Sequence, residues 1–273
     1  VAERRVEDFS QWPVISGVLN TLMAQEGGHD HGDWVEIDRA MLSVLVPLNR
    51  GDLLQFSGGV ESSRSLEIAA SPSRGSWRPN PALGAGEVPF LRAEYRRPAQ
   101  DPGRGMSGSL ALETGSAGSA YLRMDLAAAG RFPLGAGTMH LDVQAGLGTA
   151  ALPAYRSFVL GGRGSLPGED FRAFGGRRAA LARAEWRVPV NLPGPPGGRQ
   201  AGRRAILAPF AAVGVVSGGY QGLPWEPSAG IRPVVGLASE LLFQVFRIEA
   251  GYALRSGTFG LTIDASPSWW PIL

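Results

Sequence analysis

The sequence predicts an all-β protein, an antiparallel barrel that crosses a membrane with its strands. Three observations carry this. Wherever a period can be read along the chain it is two, the spacing at which successive side chains of a strand face opposite ways. Each such segment has one apolar face, while the opposite face is charged or small. Glycine (39) and proline (21) are abundant among the 273 residues, so turns rather than long helices separate the segments. A soluble sandwich would bury its apolar faces; a membrane barrel turns them to lipid and encloses the polar ones. Strand length favours the barrel. Leu122, Met124, Leu126 and Ala128 continue one apolar row over a span close to the about 9–11 residues of a tilted membrane strand. An average soluble strand has roughly five or six residues. Trp34, Tyr95, Trp186, Tyr220, Trp269 and Trp270 fall toward segment ends, where an interfacial aromatic girdle would sit.

Taken in order, about twelve strands are expected. The first two, near 12–24 and 33–48, carry the weakest signal, because their alternation changes phase partway. Segments 52–69 (with "LLQFSGG"), 88–98 (with "LRAEYRR"), 106–115 and 118–131 (with "YLRMDLA") alternate plainly. In 137–150, Met139, Leu141, Val143, Ala145 and Leu147 oppose His140, Asp142 and Gln144. In 176–190, Ala182, Ala184, Trp186, Val188 and Val190 oppose Arg183, Glu185 and Arg187. Segments 203–217 and 229–243 follow, then 245–256, where Phe246, Ile248, Ala250, Tyr252 and Leu254 oppose Arg247, Glu249, Gly251 and Arg255. The last strand lies near 258–270. Short turns such as "NRGD" (49–52), "QDPGRG" (100–105) and "FPLGAG" (132–137) alternate unevenly with longer connections at 70–87, 151–175, 191–202 and 218–228. No stretch sustains a helical period, and the longest apolar run (205–216) is short of the about 20 residues of a membrane-spanning helix. A complete barrel would close by pairing the strand near 12–24 with that near 258–270.

Composition excludes several function classes. The 26 basic residues are all arginine, which removes Walker-type phosphate loops, Schiff-base enzymes and serine–lysine hydrolases. The absence of cysteine removes disulfides and thiolate metal sites. With 24 acids interleaved and a net charge of +2, no basic stripe for nucleic acid emerges. No serine sits in a nucleophile elbow and no carboxylate dyad stands out, so neither an enzyme nor a cofactor is expected. "HDHGD" (His29, Asp30, His31, Asp33) reads as a solvated loop rather than a metal site. His140 stands alone on a lumen-facing row, and the Pro/Gly-rich "NLPGPPGGRQAG" (191–202) reads as a loop. The chain starts at Val1 rather than Met, which reads as a processed or partial chain.

The segment "GGRGSLPGEDFRAFGG" (161–176) is the most glycine-dense of the chain. A phosphate cradle needs a following helix, and here a strand follows. A flexible surface loop would not account for the enclosed Leu166, Phe171 and Phe174. With its flanks, "FVLGGRGSLPGEDFRAFGGRRAALARAEWRVPV" (158–190) resembles the sixth-loop region of the BamA/TamA superfamily of outer-membrane barrels. Gly161, Gly162, Leu166, Gly168, Gly176, Glu185 and Pro189 take the places of that pattern. Five strands are expected after the loop, as in the family, and "FGLTIDASPSWWPIL" resembles a terminal barrel strand.

The resemblance implies a single barrel domain over 1–273 whose loop near 151–176 folds into the lumen. The inward loop would comprise Gly161, Gly162, Arg163, Leu166, Pro167, Gly168, Phe171 and Gly176, with Leu166 and Phe171 packed on the wall. Glu185, Arg187, Glu240, Arg247 and Glu249 would line the lumen. Two departures stand out. The family's loop-tip arginine falls at Pro167 and its aromatic at Glu169, while the strand that usually offers an aspartate reads "APFAAVGV" (208–215). Arg163 or Arg172 would then pair with Glu185 or Glu240 as a substitute latch. The strand number also departs, about twelve against the family's sixteen, which the chain would reach if it is partial.

By resemblance, the chain works at the outer membrane of a Gram-negative bacterium, in assembly, insertion or translocation of proteins or lipids through a weak strand seam and the inward loop. Outer-membrane lipid and periplasmic or outer-membrane proteins would be its partners, and a run of periplasmic POTRA domains upstream would fit an insertase. Two alternatives stay open: a structural anchor or subunit of a larger outer-membrane assembly, and a passive narrow pore.

Overall fold

The computed structural model describes residues 2–10, 12, 15, 17–67, 71–99, 101, 104–191 and 204–265. Twelve strands form one antiparallel sheet: β1 (Ala2–Asp8), β2 (Trp34–Pro47), β3 (Leu53–Ser65), β4 (Gly86–Arg97), β5 (Gly105–Ser116), β6 (Ala120–Leu134), β7 (Gly137–Gly148), β10 (Arg178–Asn191), β11 (Arg204–Ser217), β12 (Arg232–Leu241), β13 (Phe246–Ala253) and β14 (Thr258–Ala265). They pair in chain order, which is the meander that period-two segments joined by turns produce. A small separate pair, β8 (Phe158–Leu160) and β9 (Phe174–Gly176), lies in the connection between β7 and β10.

The expected first strand near 12–24 is a helix, α1 (Gly17–Gly27), and β1 takes its place in the sheet. Leu19, Leu22 and Met23 sit at i, i+3, i+4 spacing, but they form no buried face: Leu22 is exposed and Asn20 is the buried residue of the helix. A helix satisfies its own backbone hydrogen bonds, so this segment needs no neighbouring strand. It is tied down by side chains instead. The Asn20 amide donates to Asp30 at 2.9 Å, the Trp77 indole to the Ala24 carbonyl at 2.9 Å, and the Ser73 hydroxyl to the Gln25 carbonyl at 2.6 Å. The expected closure is corrected as well. Among the described residues no ladder joins β1 to β14, the two end strands of the sheet.

Over most of the wall the two faces separate, although the outer face of β1–β3 also carries the ion pairs of Arg4 and Arg64 with Glu36 and Asp38. Leu122, Leu126, Phe246, Phe259, Leu261 and Ile263 are exposed on the outside, while Arg123, Glu113, Arg247, Glu249 and Asp264 are buried inside. At one end lie the short turns 48–52, 135–136 and 242–245 together with the 192–203 connection; at the other lie the long connections 9–33, 66–85, 149–177 and 218–231. That second end is filled by a packed apolar core. Val35, Ile37, Val88, Tyr121, Val216 and Val234 come from the ends of wall strands; Leu83, Phe158, Leu166 and Trp225 come from the connections. Burying each large side chain contributes roughly 1.5–3 kcal/mol, so these connections are held by the lumen rather than by the rim. Trp269, Trp270 and the segment 192–203 lie outside the described residues.

Candidate functional site

The 149–177 connection turns into the lumen and stays there, with Leu160 and Leu166 buried to 1% and 0% exposure. Its glycines permit this path at two points above all. Gly161 and Gly162 hold φ of +126° and +64°, where an L side chain is strained. A Cβ on Gly161 would lie 2.7 Å from Ala173 N, and one on Gly162 2.8 Å from Phe171 Cα. Outgoing and returning backbone are therefore pressed together into a compact knot, fastened by hydrogen bonds from Gly162 N–H to the Leu166 carbonyl (3.1 Å) and from Arg172 N–H to the Gly161 carbonyl (3.2 Å).

From this loop, contacts run to several parts of the wall. Leu160 and Leu166 pack at Gly214 of β11, the position where a Cβ would come within 2.9 Å of Leu166 Cδ1. The tip, Pro167–Gly168, lies flat on a cross-strand glycine pair, Gly251 of β13 and Gly260 of β14. A Cβ on either would press into its backbone, and Thr258 donates its hydroxyl to the Gly168 carbonyl at 2.5 Å. Arg163 donates to Asp264 (2.5 Å) and to the Ile263 carbonyl (3.0 Å) of β14. Arg172 donates to Asp8, at the end of β1, and to Asp33 (2.5 Å).

Earlier in the same connection, Arg156 bonds Glu61 of β3 at 2.6 Å and approaches Glu113 of β5 at 3.4 Å, and the Tyr155 hydroxyl donates to Glu61 at 2.6 Å. Burial by itself would depress the Arg156 guanidinium; the carboxylates of Glu113 and Glu61 reverse this and hold its pKa above the ordinary value. This docking point was not among the expected contacts. The one sequence signal for it is Glu61, an inward acid in a strand whose inward neighbours are Gly59 and Ser63.

On the opposite part of the wall, three arginines and three glutamates form a charge-balanced network. Arg247 bonds Glu185 (2.6 Å), Glu249 (2.7 Å) and Glu240 (3.1 Å). Arg183 bonds Glu249 (2.7 Å) and Glu185 (2.9 Å), and Arg187 bonds Glu240 (2.5 Å) and Glu185 (3.0 Å). The lumen residues Glu185, Arg187, Glu240, Arg247 and Glu249 are thus brought together with Arg183. They do not meet the loop arginines. Glu185 and Glu240 are already paired within the wall, so the expected partners of Arg163 and Arg172 are replaced by Asp264, Asp8 and Asp33.

Phe171 does not pack on the wall either. It is half-buried against the first connection, edge-on to His31 at 5.1 Å, with Arg78 and Arg172 over its ring. Gly176 presses on the Ser217 carbonyl at the end of β11. Asp30 is spent on structure, accepting from Asn20, Gly32 N–H and the Trp34 indole. Burial, with the charges of Arg163 and His29, pushes the His31 pKa down to about 4. What the arrangement can do chemically is hold a loop inside a wall by packing and ion pairs.

No protein-family model and no curated protein matches the chain. Its fold is similar to that in the crystal structure of BamA from Haemophilus ducreyi lacking POTRA domains 1–3, with a TM-score of 0.58 at 13% identity over 85% of this chain. The match spans 54% of that BamA chain. At this identity the likeness is one of fold, and the chain has a BamA-like barrel fold.

Proposed function

We propose that the chain is an outer-membrane barrel of the BamA/TamA type that assists assembly, insertion or translocation of proteins or lipids in a Gram-negative bacterium, without enzymatic chemistry. The observation that carries the reading is a sheet whose end strands, among the described residues, share no ladder, with a loop folded into its lumen. A free strand edge presents unpaired N–H and C=O groups, which in a membrane must find partners. A seam at which, among the described residues, no ladder joins β1 to β14 supports a role in which the wall is worked upon. The fold similarity to BamA supports the same reading, as does the exposed apolar outer face, which fits outer-membrane lipid.

The packed core at the long-loop end speaks against the passive pore, because ions would have to cross Trp225, Phe158 and Leu166. The experiment is reconstitution into phosphatidylcholine vesicles, followed by addition of a urea-unfolded eight-stranded outer-membrane barrel. Faster folding of that client than in empty vesicles supports the proposal. Unchanged folding, with stable high conductance in planar bilayers, would replace it with a pore. Unchanged folding without conductance would leave the structural anchor.

A further inference from the structure

Among the described residues no ladder joins β1 to β14, the two end strands of the sheet. Each edge is tied from the inside to the same loop. Arg163, 8% exposed, reaches Asp264 and the Ile263 carbonyl, both in β14. Arg172, 3% exposed, reaches Asp8 of β1 and Asp33 just before β2. The two side chains leave one knot of backbone, closed by the Arg172 N–H to Gly161 carbonyl bond at 3.2 Å.

We propose that this knot is a clasp: Arg163 grips β14, Arg172 grips β1, and together they hold the seam in place of a β-ladder, so that releasing either grip lets the edges part. Burial makes each grip decisive, because removing one partner of a buried ion pair leaves the other charge uncompensated. Arg172 also holds a φ of +49°, a conformation that costs a non-glycine residue energy and persists only where its surroundings enforce it. Its two carboxylate partners and the Phe9 ring, 5.4 Å from the guanidinium, supply that enforcement. The clasp rests on these contacts alone and does not depend on what the barrel transports.

The test places spin labels at Val6 and Leu261, outward and exposed on the two edge strands, in the full chain in phosphatidylcholine nanodiscs. Pulsed EPR should give one narrow distance distribution for the otherwise unaltered chain. Arg163→Gln and Arg172→Gln should each broaden it and shift it to longer distance. Their combination should do no more than the worse single change, since one open grip already frees an edge. Asp264→Asn should reproduce Arg163→Gln without touching the loop, and it is the variant to read if an arginine variant does not fold by heat-modified gel mobility. A narrow, unshifted distribution in the folded double variant or in folded Asp264→Asn would overturn the clasp. So would an equal broadening from Arg187→Gln, which removes two wall ion pairs of β10, four strands from β14 in the sheet.

Discussion

Leu166 is the most informative single position for the claim that the glycine-rich loop is packed inside the wall. It is fully buried, and its Cδ1 lies where a Cβ on Gly214 would be 2.9 Å away; Leu160 Cδ1 would be at 3.0 Å. Leu166→Ala removes a buried side chain and leaves a cavity, which costs about 2–5 kcal/mol. Gly214→Ala by itself forces a methyl group into an occupied space and costs about 1–3 kcal/mol. In the double variant the new Gly214→Ala methyl projects into the volume that Leu166→Ala vacates. The two changes should therefore couple favourably, by about 0.5–3 kcal/mol relative to their sum. The assay is guanidinium unfolding of the detergent-solubilised protein, followed by tryptophan fluorescence, for the four members of the cycle. Strict additivity, or a Leu166→Ala cost no larger than an ordinary surface change of about 0.5 kcal/mol, would refute the packing argument and place the loop at the rim.

Three further outcomes follow from the wall and the first connection. Ile248→Arg on the outer face should destabilise by about 2–4 kcal/mol near the bilayer midplane; spin labels at 248 and 249 should report lipid and water respectively, and the reverse would mean a soluble sandwich. Arg247→Met leaves Glu185, Glu240 and Glu249 short of their shared cation and should cost about 3–5 kcal/mol in the same unfolding assay; a neutral result would show the network to be dispensable. His31 has a folded pKa depressed to about 4 from 6.5, so between those values the unfolded chain binds a proton that the folded one does not. The stability it protects is complete above pH 6.5 and falls as the pH drops toward 4. Amide protection in residues 161–176, taken relative to the intrinsic exchange rate at each pH, should therefore fall over that window and lose this dependence in His31→Gln; an identical protection profile in the variant would rule the residue out.

Much of the wall was legible from residue order. Arg247 and Glu249 face inward while Phe246 faces outward because a pleated strand turns alternate side chains to opposite faces whatever its neighbours are. The failure near 12–24 has the same origin. That segment left the sheet, where a helix can satisfy its own backbone, and the weak phase of its alternation marked the place without naming the outcome. The inward loop was legible only through resemblance and its enclosed apolar residues, since glycine density by itself fits a surface loop equally well. Phe171 was misplaced because an aromatic ring packs on any apolar or cationic surface, and the nearest here belonged to a connection, at His31 and Arg78, rather than to the wall.

The sequence by itself determined the fold class, the apolar side of the strands whose alternation is plain, and that Arg163 and Arg172 would need acidic partners if buried. Those are properties of short windows, set by backbone geometry and by the cost of burying an unpaired charge. Which acids would answer was decided only in three dimensions. Asp8 lies 164 positions from Arg172, and Asp264 lies 101 from Arg163. Attraction between charges has no preferred direction along the chain, so Glu185 and Glu240 were as eligible on paper. The packing of the wall assigned those two to Arg183, Arg187 and Arg247, and it left the acids at the sheet's two ends for the loop.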